Sequence, residues 1–262
     1  MHCHLGFVDD AAAALRPAGE DGPAALSCTL APEEFERDRF RLAPWPRYRV
    51  ALGLHPWAVA DGTATVTAIE AFETMAPTVA FVGEVGLDFG GARGEEVRRM
   101  AQQEAFARVL AACDHAAPSG AVEPKLLSVH AVRAADRVLT MLDEQGTLQR
   151  HRCIFHWFAG SSVELSRAIE AGCWFSVGPR MLATKRGREY ARAIPLDRLL
   201  LETDSPSRPG DPWTYAAWTE GLRAAGETMA ELRAMDADEL FDAIAATSEA
   251  LLRPVRTPAC AL

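Results

Sequence analysis

The stretch VAFVGEVGLD, residues 79–88, decides the fold. Its apolar run carries no polar alternation, which is the mark of a strand covered on both faces, and such strands belong to parallel sheets flanked by helices. Glu84 lies toward its C-terminal end. A carboxylate buried there is costly unless it is paired or holds a metal.

Four other runs repeat the arrangement: MHCHL (1–5), KLLSVH (125–130), RCIFHWF (152–158) and LLLETD (199–204). They place His2, His4, His130, His156 and Asp204 at or near strand ends. Apolar runs predict strands at 2–8, 24–30, 50–55, 79–87, 126–130, 153–158, 174–177 and 199–203. Amphipathic stretches between them predict helices at about 32–41, 63–75, 95–115, 134–145, 162–171 and 184–193. The segment 226–254 reads as two closing helices. Strands alternating with helices predict an α/β chain with a parallel sheet. Eight strands in 262 residues match a single TIM-like (β/α) barrel of the metallo-dependent hydrolase type, over residues 1–253, with a loosely held tail at 254–262. Such a barrel builds its site at the C-terminal ends of its strands.

No apolar run reaches the ~18–20 residues that span a bilayer, and no basic-then-apolar leader opens the chain, so the cytoplasm is the expected compartment and no membrane is an expected partner. Six cysteines are scattered without a C-x-x-C pair, which reads as reduced, buried thiols. The net charge of −9 weighs against a protein that coats duplex DNA through many phosphates. Contact with nucleic acid must be local and helped by bound cations.

H-x-H on a strand sends both imidazoles to one face, because side chains alternate with period two. Cys3 then points to the helix layer as a packed thiol. Glu84 or Asp204 alone could be explained by an ion pair with Arg133 or Arg180. Four histidines and two carboxylates at five strand ends are better explained by a shared metal site. Six ligands suffice for two divalent ions with one bridging carboxylate, and the donor set fits zinc, manganese, iron or magnesium without choosing among them. A pair of ions about 3.5–4 Å apart can activate water and clamp a phosphoryl group together.

The segments HCHL, ALGLHPW (51–57), VGEVGLD, LSVHAVRAA (127–135), FHWFAGS (155–161), FSVGPRML (175–182) and RLLLETDSP (198–206) resemble the TatD-type metal-dependent deoxyribonucleases of the amidohydrolase superfamily. FHWFAGS and FSVGPRML look most like the branch that accompanies the Qat anti-phage defence system. The resemblance implies a two-metal centre (Mg, Mn or Zn) and phosphodiester hydrolysis, with DNA as the substrate, single-stranded or at 3′ ends, and other defence-system subunits as partners. It implies that His2, His4, Glu84 and Asp204 hold one ion. Glu84 bridges to a second, completed by His130 and His156. Asp204 accepts the proton of the attacking water, and His55 orients the phosphate or protonates the leaving oxygen. A strand-end histidine that only caps the next turn is the other reading of His55.

Arg133, Arg180 and Lys185, just beyond strands five and seven, are candidate phosphate contacts. Trp157 either packs outward between helices or offers a stacking surface to a terminal base. The Pro-rich loop SPSRPGDPWTYAAW (205–218) is placed to wall the cleft, and His115 and His151 carry no expected role. Family members open with several residues and an Asp before H-x-H. Only Met1 does so here, so the expectation is either a misplaced gene start or a stub of a first strand, the stub setting an α-amino group unfavourably close to a dication. Two further readings stand beside the deoxyribonuclease: a small-molecule amidohydrolase on the same barrel, and a catalytically impaired partner subunit of a defence complex. The glutamate at the fourth strand, where phosphotriesterase-like relatives place a modified lysine, favours the nuclease.

Overall fold

A computed structural model of the chain describes residues 1–19, 22–117, 120 and 122–253; the tail expected at 254–262 lies outside them. Eight parallel strands run β1 His2–Cys3, β2 Ala25–Cys28, β3 Tyr48–Ala51, β4 Phe81–Asp88, β5 Leu126–Val132, β6 Arg152–His156, β7 Trp174–Val177 and β8 Leu199–Leu201. The order is β1-β2-β3 in one sheet and β4-β5-β6-β7-β8 in another. Backbone hydrogen bonds join the two into a ring. Leu52 N–H donates to Phe81 O at 3.0 Å and Gly83 N–H to Leu52 O at 2.8 Å, linking β3 to β4. Asp204 N–H donates to His2 O and His4 N–H to Ser205 O, both at 3.2 Å, linking the segment after β8 to β1.

Most of the expected strands are shorter than the sequence implied, β1 and β3 among them. β1 stops at Cys3, because Leu5–Phe7 turn into a short 3₁₀ segment while Leu5 N–H donates to Ser27 Oγ at 3.2 Å. β3 stops at Ala51, and His55 caps an additional helix, Pro56–Ala60, whose proline sits where a helix start tolerates it. The helix expected from 63 begins at Val66, capped by the Thr65 hydroxyl. The first closing helix runs Tyr215–Arg233, starting earlier than expected, and the second runs Ala237–Leu252. The Ser162–Glu170 helix opens with a full capping box between Ser161 and Glu164.

Period-two alternation sorts the barrel into layers. Leu26, Ala51, Phe81, Leu126, Ile154 and Leu200 form the apolar floor, closed from below by Leu251 and Leu252 of the last helix. Their neighbours Leu127, Val129, Cys153, Phe155, Phe175, Leu199 and Leu201 face outward into the main core beneath the helices. Cys3 faces outward too, among Leu5, Ala25 and Trp218. Phe155 is fully buried, with Phe158 and Phe175 ring centroids at 5.6 and 6.2 Å. Phe155→Ala is expected to cost roughly 3–5 kcal/mol of stability. Urea denaturation checks this, and a loss below about 1 kcal/mol would show that the Phe155–Phe158–Phe175 stack is not packed as described.

Candidate metal centre

Above the apolar floor the interior turns polar, by the same parity. Ser128 lies two residues before His130 on β5, Ser176 projects from β7, and Glu202 lies two residues before Asp204; all three are buried. At the mouth His2, His4, His55, Glu84, His130, His156 and Asp204 converge, and all but Asp204 are almost fully buried.

Glu84 is the hub, and its two oxygens face different partners. Oε2 lies 3.4 Å from His2 Nε2 and 3.5 Å from His4 Nε2. Oε1 lies 2.6 Å from His130 Nδ1, 2.8 Å from His156 Nε2 and 3.1 Å from His55 Nε2. Asp204 closes the first group, with Oδ1 3.3 Å from His4 and 3.7 Å from His2. Ligand atoms on opposite sides of an ion at ~2.1 Å lie about 4.2 Å apart, so donors this close can share one. Among the described residues, three triads bring one ligand atom each to within 4.8 Å of the others: His2–His4–Glu84, His2–His156–Asp204 and His55–Glu84–His130.

The outer hydrogen bonds decide which imidazoles offer a lone pair. His4 Nδ1 is 3.0 Å from Cys28 O, a pure acceptor, so Nδ1 carries the proton and Nε2 is bare toward the centre. His2 Nδ1 reaches Ser128 Oγ at 2.8 Å, which anchors the ring with Nε2 toward the centre, 3.2 Å from His4 Nε2. His130 sets both ring nitrogens against carboxylates, Nε2 3.2 Å from Asp88 Oδ2 and Nδ1 2.6 Å from Glu84 Oε1, so both donate, and Nδ1 is the nitrogen that would exchange its proton for a cation. Outer partners of this kind fix tautomer and ring orientation at metal sites. His55 differs: its Nδ1 accepts from Trp57 N–H at 3.2 Å, so the proton of the neutral ring sits on Nε2 and points inward. His55 therefore presents a donor, not a lone pair, despite its place in a triad. It both caps the Pro56–Ala60 helix and reaches the centre, so the two sequence readings are compatible.

His156 does not sort cleanly with one group. Its ring stacks on His2 at 4.0 Å while its Nε2 contacts Glu84, so it lies between the two sets. Its Nδ1 is buried without a hydrogen-bond partner, 3.9 Å from Glu202 Oε2.

Burial and mutual charge set the protonation of these groups. Burial disfavours charge on every one, yet the ring of imidazoles keeps Glu84 well below the usual carboxylate range. Burial likewise opposes charge on His156, but Glu84, Glu202 and Asp204 raise it to about 10. Burial lowers His2 to about 3, and the charge of His156 adds to that. Asp204 is held down to about 2 against burial by its hydrogen bond with His4. Burial raises Glu202 to about 7, where the Ser176 hydroxyl donates to it. Cations must displace these protons, so metal affinity falls toward acid pH.

The cavity above the centre measures about 690 Å³, and its walls include Phe7, Leu30, Trp57, Trp157, Phe158, Met181, Arg180, Arg186 and Ser207. Arg180 lines the cavity; it reaches Asp204 Oδ2 at 3.3 Å, and its guanidinium lies 5.6 Å from the Trp157 ring centroid. Trp157 packs against the core on one side, and its other side walls the cavity. Lys185 is not a wall residue. It is exposed at the start of the Lys185–Ala193 helix, and Arg186, about 100° further round, lines the cavity instead. Arg133 lines an adjoining recess, not the cavity itself. Arg133, Trp157 and Asp204 all take left-handed backbone, with φ of 52°, 39° and 52°. That conformation costs roughly 1–2 kcal/mol per residue, and strain of this kind gathers at functional sites. His151 has a structural role that the sequence did not suggest: it is buried below the barrel, where its Nδ1 accepts from Lys125 N–H at 3.2 Å and its Nε2 lies 3.0 Å from Asp114 Oδ1.

Asp88 was missed, although it follows Glu84 by four residues and so shares its face of β4. It is buried and takes hydrogen bonds from the Trp57 indole, from His130 Nε2 and from Gly90 N–H. Burial opposes its ionisation, but these donors hold it at about 2. Asp88→Asn is expected to weaken metal affinity about 10–100-fold. Competition titration with a chromophoric chelator checks this, and a change under twofold would remove Asp88 from the centre.

The family model described as "TatD related DNase" matches residues 1–253. The 3′-5′ ssDNA/RNA exonuclease TatD of Klebsiella pneumoniae is 32% identical over 206 residues, covering 76% of this chain and 72% of that protein. Human deoxyribonuclease TATDN3 is 26% identical over 179 residues, 61% of this chain and 59% of its own length. The crystal structure of YJJV, a TatD homolog from Escherichia coli, shares the fold with a TM-score of 0.77 at 24% identity over 96% of each chain. A TatD family hydrolase from Entamoeba histolytica does so at 0.74 and 14% identity, again over 96% of each chain.

Proposed function

The chain belongs to the TatD-related DNase family, and from that premise we propose that its barrel mouth holds two divalent cations (Mg, Mn or Zn) and hydrolyses phosphodiester bonds of DNA, at single-stranded or 3′ ends. The observation that carries this reading is the division of Glu84, with one oxygen toward His2 and His4 and the other toward His130 and His156. His2, His4, Glu84 and Asp204 would hold the first ion, and Glu84, His130 and His156 the second. When bound, such a pair supplies Lewis-acid polarisation of the phosphoryl group and makes nearby water more acidic.

The chain's own residues do the rest. Asp204 is ionised at neutral pH and stands at the edge of the cavity, where it accepts the proton of the attacking water. His55 aims its Nε2–H at the centre, where it donates to a phosphate oxygen or to the leaving oxygen. Arg180 and Arg186 supply positive charge at the wall of an otherwise acidic protein. Trp157 offers a flat apolar face to a base, a contact that tolerates any sequence.

The narrower assignment, to the branch accompanying the Qat anti-phage defence system, is supported by FHWFAGS and FSVGPRML, which carry Trp157, Arg180 and Met181 into the cleft wall. On that reading the protein works in the cytoplasm with other defence-system subunits, and co-purification from cells carrying the system tests it.

The activity itself is tested with 5′-labelled single-stranded and duplex DNA in Mg²⁺ or Mn²⁺. Progressive shortening of single strands from the 3′ end, abolished by chelator, is the expected result. Cleavage of small esters or lactones without DNA would favour the amidohydrolase reading. Metal binding with no cleavage would favour the impaired partner subunit.

A further inference from the structure

We propose that Arg133 and Arg186 form a second phosphate subsite beside the metal centre, which holds the phosphate of the nucleotide flanking the scissile bond. The proposal rests on the phosphodiesterase reading above and gives its substrate a minimum length. A recess of about 400 Å³ adjoins the cavity and shares Ala159 and Arg186 with it. Arg133 enters it from the end of β5, and Ser161 and Ser162 from the start of the Ser162–Glu170 helix.

The charges in this recess are not committed elsewhere. Neither the Arg133 nor the Arg186 guanidinium has a hydrogen bond or ion pair with another described residue. Most arginines around them are engaged: Arg137 with Gln103, Arg167 with Asp136 and Arg180 with Asp204. The acid in the recess, Glu164, is occupied, since its carboxylate accepts from Ser161 N–H at 2.5 Å and from Asp136 N–H at 2.9 Å. The floor is fixed by Tyr190, whose hydroxyl donates to Gly160 O at 2.8 Å. Two free guanidinium groups and a serine hydroxyl in a rigid recess suit a phosphate, for which the planar, multi-donor arginine is well matched. Arg186 borders both spaces, so a strand with its scissile phosphate at the metals can pass the Trp157 face and set its next phosphate here. Mononucleotide esters cannot use the recess; oligonucleotides can.

The test compares the full-length wild type with R133Q/R186Q and with R133K/R186K. Two readouts are taken. The first is the ratio of kcat/KM for oligothymidylate over thymidine 5′-(p-nitrophenyl phosphate), which carries a single phosphodiester. That ratio is expected to fall about tenfold in R133Q/R186Q, through KM, and to recover in part in the lysine variant. The second is binding of labelled oligothymidylate in chelator, followed by fluorescence anisotropy across salt concentrations. The slope of log K against log salt is expected to shrink by about 0.7 for one lost phosphate contact on a single strand. An unchanged ratio together with an unchanged slope would overturn the subsite. If the wild type cleaves neither substrate, the phosphodiesterase reading fails, and the salt slope alone still decides whether the arginines hold a phosphate.

Discussion

Glu84→Gln is expected to lower turnover on single-stranded DNA by at least about a thousand-fold while the barrel stays folded. The size follows from position. Changing a residue that only supports a ligand costs about 10–100-fold. Glu84 instead contacts both histidine groups, with Oε2 on His2 and His4 and Oε1 on His130 and His156. Glutamine keeps the volume but replaces one oxygen with an NH₂ that has no lone pair to give. It also removes the one carboxylate among the described residues that faces all five imidazoles. On the proposed two-ion reading no metal concentration should restore the rate, because the variant lacks the carboxylate that would bridge. Single-turnover rates across a Mn²⁺ titration measure this, with circular dichroism as the check on folding. Recovery to within tenfold of wild type at high Mn²⁺ would show that Glu84 is an ordinary ligand to one ion.

Asp204→Asn is expected to lower kcat about 10³-fold with KM changed less than about threefold. Asp204 stands in a different relation to the centre. It is the most exposed member of the set and reaches both His4 and Arg180. General-base catalysis contributes about 10²–10⁴, and asparagine cannot take the proton. It can still place an amide oxygen near His4. Saturating metal should therefore refill the site without restoring the rate, which separates this variant from one that merely binds metal poorly. Steady-state kinetics in excess Mn²⁺ read the difference, and full recovery would leave Asp204 as a ligand without a role in proton transfer.

These two side chains were legible in the sequence because each ends an apolar run, where a charge has few physical excuses. The barrel was legible for a related reason: strands buried on both faces leave continuous apolar segments, and VAFVGEVGLD, CIF and LLL are such segments. Parity along the strands contained more than was taken from it. Asp88, Ser128 and Glu202 share a face with Glu84, His130 and Asp204, and an even offset from each ligand was the available signal. Other features could not be read in one dimension. The orientation of an imidazole is set by partners far along the chain, such as Cys28 O for His4 and Asp88 for His130. The donor role of His55 depends on a helix cap that begins only because β3 ends early. Arg186 and not Lys185 lines the cavity, since neighbours on a helix face different ways. Trp157 turns into the cleft wall through a left-handed backbone that no residue pattern announces.

The most direct test is the metal content of the chain after equilibrium dialysis against Mn²⁺ or Zn²⁺ at neutral pH, compared between wild type and Glu84→Gln. A bridging carboxylate predicts about two ions per wild-type chain and at most one in the variant. A single ion in the wild type, or two retained in Glu84→Gln, would contradict it.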